Sequence, residues 1–322
     1  MKMRLFYLFI LFIISCNNNI CVNKDGSLCS DFYLESEGFY VLKKSKKNYI
    51  LKDELIISNN TVFTIENGVS LILKKGGSIV NNGVLIIGEK NNNLNKIYNF
   101  LDSNFYYGVS IESYNNSKII SNNELIINNT LLKELSIISN NILDINNSIF
   151  LSSFLDLNNN DIIINNSKFF NKNFSINNCK FLIKNSIIYN LKNSININNS
   201  SNYIFNNCLF NNCNSIFLNN NSNGNFINNV FYKNKKAIII DNKGSLKLYN
   251  NLFVKNKVAI NKKDSSILYI INNTFDKNNN NIINNYSNNI TSKNNIYSNS
   301  KLKYNNSINN YYCLSNVDSL KG

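Results

Sequence analysis

Hydrophobic and polar residues alternate along this chain in short runs, and the runs recur. Phe210, Phe231, Phe253, Phe275 and Tyr297 are spaced by ~22 residues, the period range of coil-stacking folds. Within one repeat, Leu246-Lys247-Leu248-Tyr249 turns both leucines to one side of a strand, as a period of two demands. Asn250-Asn251 follows as a corner, because asparagine tolerates the left-handed conformation of a sharp bend and its side chain bonds nearby backbone. Leu252-Phe253-Val254 reads as a second strand with Phe253 inward, Lys255-Asn256-Lys257 as another corner, and Val258-Ala259-Ile260 as a third strand. Helical periodicity is absent almost everywhere. Three short strands and three corners per repeat predict a coil that stacks on its neighbours. Equivalent residues then lie ~4.8 Å apart. The Phe column becomes an interior aromatic stack, and Asn229, Asn251 and Asn273 become an amide ladder that satisfies buried corner groups.

The chain has two alanines, Ala237 and Ala259, at the same place in the repeat. They mark the inward corner where the third strand starts and space is short. Asn281 takes that place in the next repeat, which opens the question of a register slip. Upstream, Asn129-Thr130-Leu131-Leu132, Asn147-Ser148-Ile149-Phe150 and Asn166-Ser167-Lys168-Phe169 recur at ~19 residues. Between Phe170 and Tyr203 the register is ambiguous, since Asn178-Cys179-Lys180-Phe181 and Asn185-Ser186-Ile187-Ile188 both fit. Nearer the start, Val69, Leu71 and Leu73 form one inward set, and Ile79, Val84 and Ile86 suggest the next. Gly76-Gly77 and Asn81-Asn82-Gly83 punctuate them as turns.

The unit from Ile227-Asn228-Asn229-Val230-Phe231 through Asn234 to Ala237-Ile238 resembles the repeats of right-handed parallel β-helices of the pectate-lyase-like superfamily, which includes periplasmic carbohydrate-binding and sugar-hydrolase repeat proteins. The resemblance implies an all-β, right-handed parallel β-helix with three short strands per coil over roughly residues 50 to 300. It leaves function open, because lyases, glycosidases, adhesins and inert scaffolds share the fold. A leucine-rich repeat has the same period and matches Leu246-x-Leu248-x-x-Asn251-x-Phe253. Its preceding leucine is replaced by Asn221, Lys243 and Ser265, and polar Asn234, Asn256 and Asn278 stand where it needs apolar packing. A disordered Asn-rich tract would lack this apolar periodicity.

At the N-terminus, Lys2 and Arg4 precede a short apolar run, Leu5 to Ile14, too short to span a bilayer and suited to a signal-peptide core. Ile13-Ile14-Ser15-Cys16 resembles a bacterial lipobox, which implies a signal peptide over residues 1–15 and a lipid on Cys16 that would tie the chain to a membrane in the bacterial envelope. Residues 16–48 then read as a lipid-anchored tether and lead-in, 49–300 as the β-helix, and 301–322 as a C-terminal cap, with Asn310-Tyr311-Tyr312-Cys313 placed to close the last coil. In an oxidising compartment Cys21 and Cys29 are a candidate disulfide near the tether, and Cys208 and Cys213 are close enough to pair across one turn.

Asparagine makes up about a quarter of the chain; Pro, Trp and His are absent, and Arg4 is the one arginine. Without histidine and without CxxC spacing no zinc site is expected, and no cofactor is implied. The net charge of +14 attracts polyanions, but no nucleic-acid partner is expected from a chain so poor in arginine and without a nucleic-acid motif. Hydrolases of this fold resemble each other in clustered aspartates, often with a histidine. Here Asp144, Asp156, Asp161, Asp241, Asp264 and Asp276 are scattered, and Asp241 with Asp264 in the next turn is the one conceivable carboxylate pair. Lyases of this fold resemble each other in an arginine or lysine base beside a calcium site, and no acidic cluster here suits calcium.

One charged feature does follow the repeat. Lys233, Lys255 and Lys277 share a column two residues after the aromatic, and Lys235 and Lys257 form a second column two further on. On a β-helix these make a basic strip along one edge, where an anion lying along the strip would relieve repulsion between lysines. The expectation is a non-enzymatic, exported scaffold that binds an acidic polysaccharide or lipopolysaccharide or mediates adhesion. The alternative is a polysaccharide lyase or glycoside hydrolase of the same superfamily.

Overall fold

In the computed structural model the chain winds into a right-handed parallel β-helix. The structure describes residues 22–23, 26–28, 33–34, 38–89, 108–114, 117–159, 161–170, 173–241, 243–263, 265–284, 289–298, 307–308 and 310–313. Strands stack into three parallel sheets of 12, 13 and 13 strands. Each coil passes through sheet I, sheet II and sheet III in turn; Lys236–Asp241, Ser245–Tyr249 and Leu252–Val254 are one such set. The three corners are named by the sheets they join. Tyr33–Leu34 and Gly38–Leu42, ahead of Tyr49, already belong to the sheets, and so do Ser307–Ile308 and Tyr311–Cys313 beyond residue 300. Among the described residues no helix is long and apolar enough to cross a membrane.

The Phe column lies in sheet III and in register, from Phe210 through Phe231, Phe253 and Phe275 to Tyr297. Successive rings stack at centroid distances of 4.9, 4.6, 4.9 and 4.8 Å, the spacing that parallel strands impose. A second stack, Phe205 on Phe226 at 4.8 Å, fills the sheet II side. Asn281 is level with Ala259 and the register does not slip, because Val258 pairs with Asn280 and Ile260 with Ile282. Asn281 is buried there, and its Oδ1 accepts from Asn278 Nδ2 at 3.1 Å, which makes an amide tolerable in an apolar column.

Two expectations are corrected by the register. In the early coils Val84 and Ile86 face outward and Leu85 and Ile87 fill the core; both faces of that strand are apolar, so alternation alone does not say which is inside. The ambiguous stretch resolves because its two candidates lie at different corners. Ile188 continues the sheet III column between Phe169 and Phe210, while Phe181 sits in sheet II over Ile162. The coil lengthens there, from 19 residues between Ser148 and Ser167 to 22 between Asn229 and Asn251. Phe174 follows Phe169 by five positions and Ile260 follows Phe253 by seven, so two of the three added residues enter at the III–I corner.

The first coil is closed by its own N-terminal neighbour. Val22 bridges Leu28 in antiparallel fashion, Ser27 bridges Ile50 in sheet III, and Leu28 is buried in the core. At the other end Asn310 accepts from the backbone N–H of Asn295 at 2.8 Å, and Tyr311–Cys313 adds a further strand to sheet III.

Candidate functional site

The corners are built from two asparagine roles. One asparagine takes the left-handed bend, and the residue after it points inward and ties its coil to the next. At the II–III corner the inward column runs Thr130, Ser148, Ser167, Ser186, Cys208, Asn229, Asn251, Asn273, Asn295. Asn229 Nδ2 donates to Asn251 Oδ1 at 3.0 Å, and Asn251 Nδ2 to Asn273 Oδ1 at 3.0 Å, so the expected ladder is present. A second ladder, unforeseen, runs through the III–I corner: Asn234 to Asn256 and Asn256 to Asn278, both at 2.9 Å. These are the polar residues that break the leucine-rich pattern. The period-two reading registered their polarity but not their inward direction, which the corner backbone sets.

The cysteines belong to the same scheme. Cys179, Cys208 and Cys213 each follow a left-handed asparagine, each at a different corner, and all three are buried thiols outside any disulfide. The pairing of Cys208 with Cys213 is therefore corrected: a strand of sheet III separates their corners. Burial pushes both thiols up to about 11, so they are poor nucleophiles. Cys16, Cys21 and Cys29 lie outside the described residues, as does Asp264. Asp241, the other member of that conceivable carboxylate pair, has Lys263 Nζ at 2.9 Å. Among the described residues no group of three His, Cys, Asp or Glu is placed to hold a metal.

The lysine columns fall on the lengthened III–I corner. Lys233, Lys235, Lys255, Lys257 and Lys277 are all exposed, and none forms an ion pair with a described residue. Backbone hydrogen bonds hold them in stack: Lys233 N donates to Val254 O at 3.1 Å, Lys255 N to Asp276 O at 3.0 Å, and Lys257 N to Asn234 O at 2.9 Å. Lys233, Lys255 and Lys277 have φ of 54°, 53° and 50°. Of the 24 described non-glycine residues with positive φ, 19 are asparagine. The five exceptions are Glu134, Ser152 and these three lysines, and all five occupy the III–I bend. A lysine there costs on the order of 1 kcal/mol in backbone strain that asparagine largely avoids. Tyr232, on the outer face of sheet III, gathers two of the ammonium groups, with Lys233 Nζ 5.1 Å and Lys255 Nζ 5.9 Å from its ring centroid. The result is a ridge with unpaired positive charge in successive coils, ~4.8 Å apart along the axis.

Compared with protein-family models, with curated proteins and with solved structures, the chain matches none. Sequence reading found the ridge lysines but not their conformation. Lys262, wholly buried in sheet I beside Ile240, was not foreseen at all, because nothing in its sequence setting separates it from exposed Lys263.

Proposed function

We propose that this protein is a non-enzymatic scaffold whose III–I ridge binds an extended acidic glycan, such as an acidic polysaccharide or the polyanionic part of a lipopolysaccharide. One observation carries the reading: three consecutive coils keep a lysine in the left-handed III–I bend, which holds asparagine at Asn190 and Asn212, while the described left-handed non-glycine residues of the other two corners are all asparagine, which would be less strained. Strain retained in register, at exposed and unpaired charges, is the mark of a function imposed on the backbone. A chain lying along the axis meets one such lysine per coil, so modest single contacts add up. We further propose that the protein is exported and lipid-anchored through Cys16, on the strength of the lipobox-like segment, and that its coils are related to the pectate-lyase-like superfamily, on the strength of the Ile-Asn-Asn-x-Phe repeat.

The test is retention on an immobilised uronic-acid polymer in moderate salt. Lys255→Glu with Lys277→Glu is expected to lower it, while the melting temperature stays unchanged. Unchanged retention removes the ridge as a binding site. Metabolic labelling with a radiolabelled fatty acid tests the anchor, with Cys16→Ala as the control that must lose the label.

A further inference from the structure

Acidic residues are not spread evenly along the axis. Residues 1–161 carry 14 Lys and Arg against 15 Asp and Glu, a balance of −1. Residues 162–322 carry 19 Lys against 4 Asp, a balance of +15. From Asp161 to Asp241 there is no acidic residue between. The six sheet I strands from Phe174–Asn177 to Asn280–Asn284 belong to the basic half, and the six before them to the neutral half. Each half is thus ~29 Å long at ~4.8 Å per coil.

The lysines of the basic half are not confined to the ridge. Lys247 and Lys293 stand exposed on the outer face of sheet II. The described residues of that half set two aspartates against them: Asp241, which pairs with Lys263, and Asp276, which keeps its charge while accepting the hydroxyl of Ser298. In the neutral half, lysines stand among acids, as where Lys133 pairs with Glu112 at 2.6 Å. The Debye length in physiological salt is ~8 Å. It is several times shorter than either half, so an anion beside the neutral coils does not feel the basic ones.

We infer that the solenoid is electrically two-part: the C-terminal six coils are the whole contact surface for an extended polyanion, on sheet II as well as on the ridge, and the N-terminal six coils are a neutral spacer. This rests on the reading that the ridge takes an acidic chain. It adds that charge elsewhere in the basic half contributes, and that charge in the spacer does not. Ligand bound in this way is held ~29 Å from the first coil.

Three double variants separate these statements, each lowering the net charge from +14 to +10 by two Lys→Glu changes at exposed sites. They are Lys255→Glu with Lys277→Glu on the ridge, Lys247→Glu with Lys293→Glu on sheet II, and Lys46→Glu with Lys75→Glu in the spacer. Affinity for alginate is measured in physiological salt on full-length protein, with neutral dextran as a blank and far-UV circular dichroism to confirm folding. The ridge and sheet II pairs are expected to weaken binding about fivefold or more, and the spacer pair to leave it unchanged. A spacer pair as damaging as the sheet II pair means that net charge alone acts, and overturns the inference while the ridge stands. A silent sheet II pair confines contact to the ridge and also overturns it. A silent ridge pair defeats the underlying reading instead.

Discussion

Replacing Asn256 by alanine removes one rung of the inner III–I ladder, and the cost can be worked from four contacts. Asn256 Oδ1 accepts from the backbone N–H of Asn234 and from Asn234 Nδ2, both at 2.9 Å. Its Nδ2 donates to Phe231 O and to Asn278 Oδ1, also at 2.9 Å. The residue is fully buried at 0% exposure, so alanine leaves two N–H donors of the preceding coil without these acceptors and two oxygens each short of a donor. Stranded buried donors cost about 1–3 kcal/mol each and the lost acceptor contacts about 1 kcal/mol each, so the loss is about 4–8 kcal/mol. A water that fills the vacated amide volume would bring it down to roughly 2 kcal/mol. Because coils contact only their neighbours, the weakness should be local as well as global. Urea unfolding reads the global loss, and hydrogen exchange at the Asn234 amide reads the local one. A loss below about 1 kcal/mol, with that amide still protected, would refute the claim that the ladder holds the corners.

Lys255→Asn should raise stability by up to about 1 kcal/mol in thermal unfolding and at the same time weaken glycan retention, because it relieves a left-handed lysine and removes a ridge charge. Gly224→Ala should destabilise by about 3 kcal/mol or more: an added Cβ would stand 2.3 Å from the ring of Tyr203, which is fully buried and stacked on Phe181 at 5.0 Å. A near-neutral Gly224→Ala in urea unfolding would show that Tyr203 can move. Cys208→Ser should cost within about 1 kcal/mol, since Ser148, Ser167 and Ser186 already fill that column. The two thiols titrate at about 11 in the fold, above their ordinary value of 9.0, so the stability they confer is full below pH 9 and is lost as pH rises to about 11. Urea midpoints of the wild type should therefore fall over that window more steeply than those of Cys208→Ser with Cys213→Ser, and parallel curves would show that the thiols titrate normally.

Much of the fold was legible because a repeat repeats its errors as well as its signals. Phe231, Phe253 and Phe275 need no context to be aligned, and the strand spacing then dictates both the ring stack and the Asn229 ladder. Where faces were apolar on both sides, as at Val84-Leu85-Ile86-Ile87, the inward set was not legible. The candidate site was legible in part. Lys233, Lys255 and Lys277 could be placed in one column, but their left-handed backbone follows from the stacked corner.

The sequence by itself determined the coil: a strand period of two, a corner wherever asparagines cluster, and a register marked by rare alanines and regular phenylalanines. These are local properties, fixed by backbone sterics and side-chain shape within one turn. Only the tertiary structure decided which corner asparagines turn inward as ladders, that three cysteines take inward corner positions of the same kind, that a lysine can be buried in sheet I, and that two added residues enter at the III–I corner. Those outcomes depend on what the coil above and the coil below present at ~4.8 Å, and that relation between residues 18 to 22 apart exists only once the chain is wound.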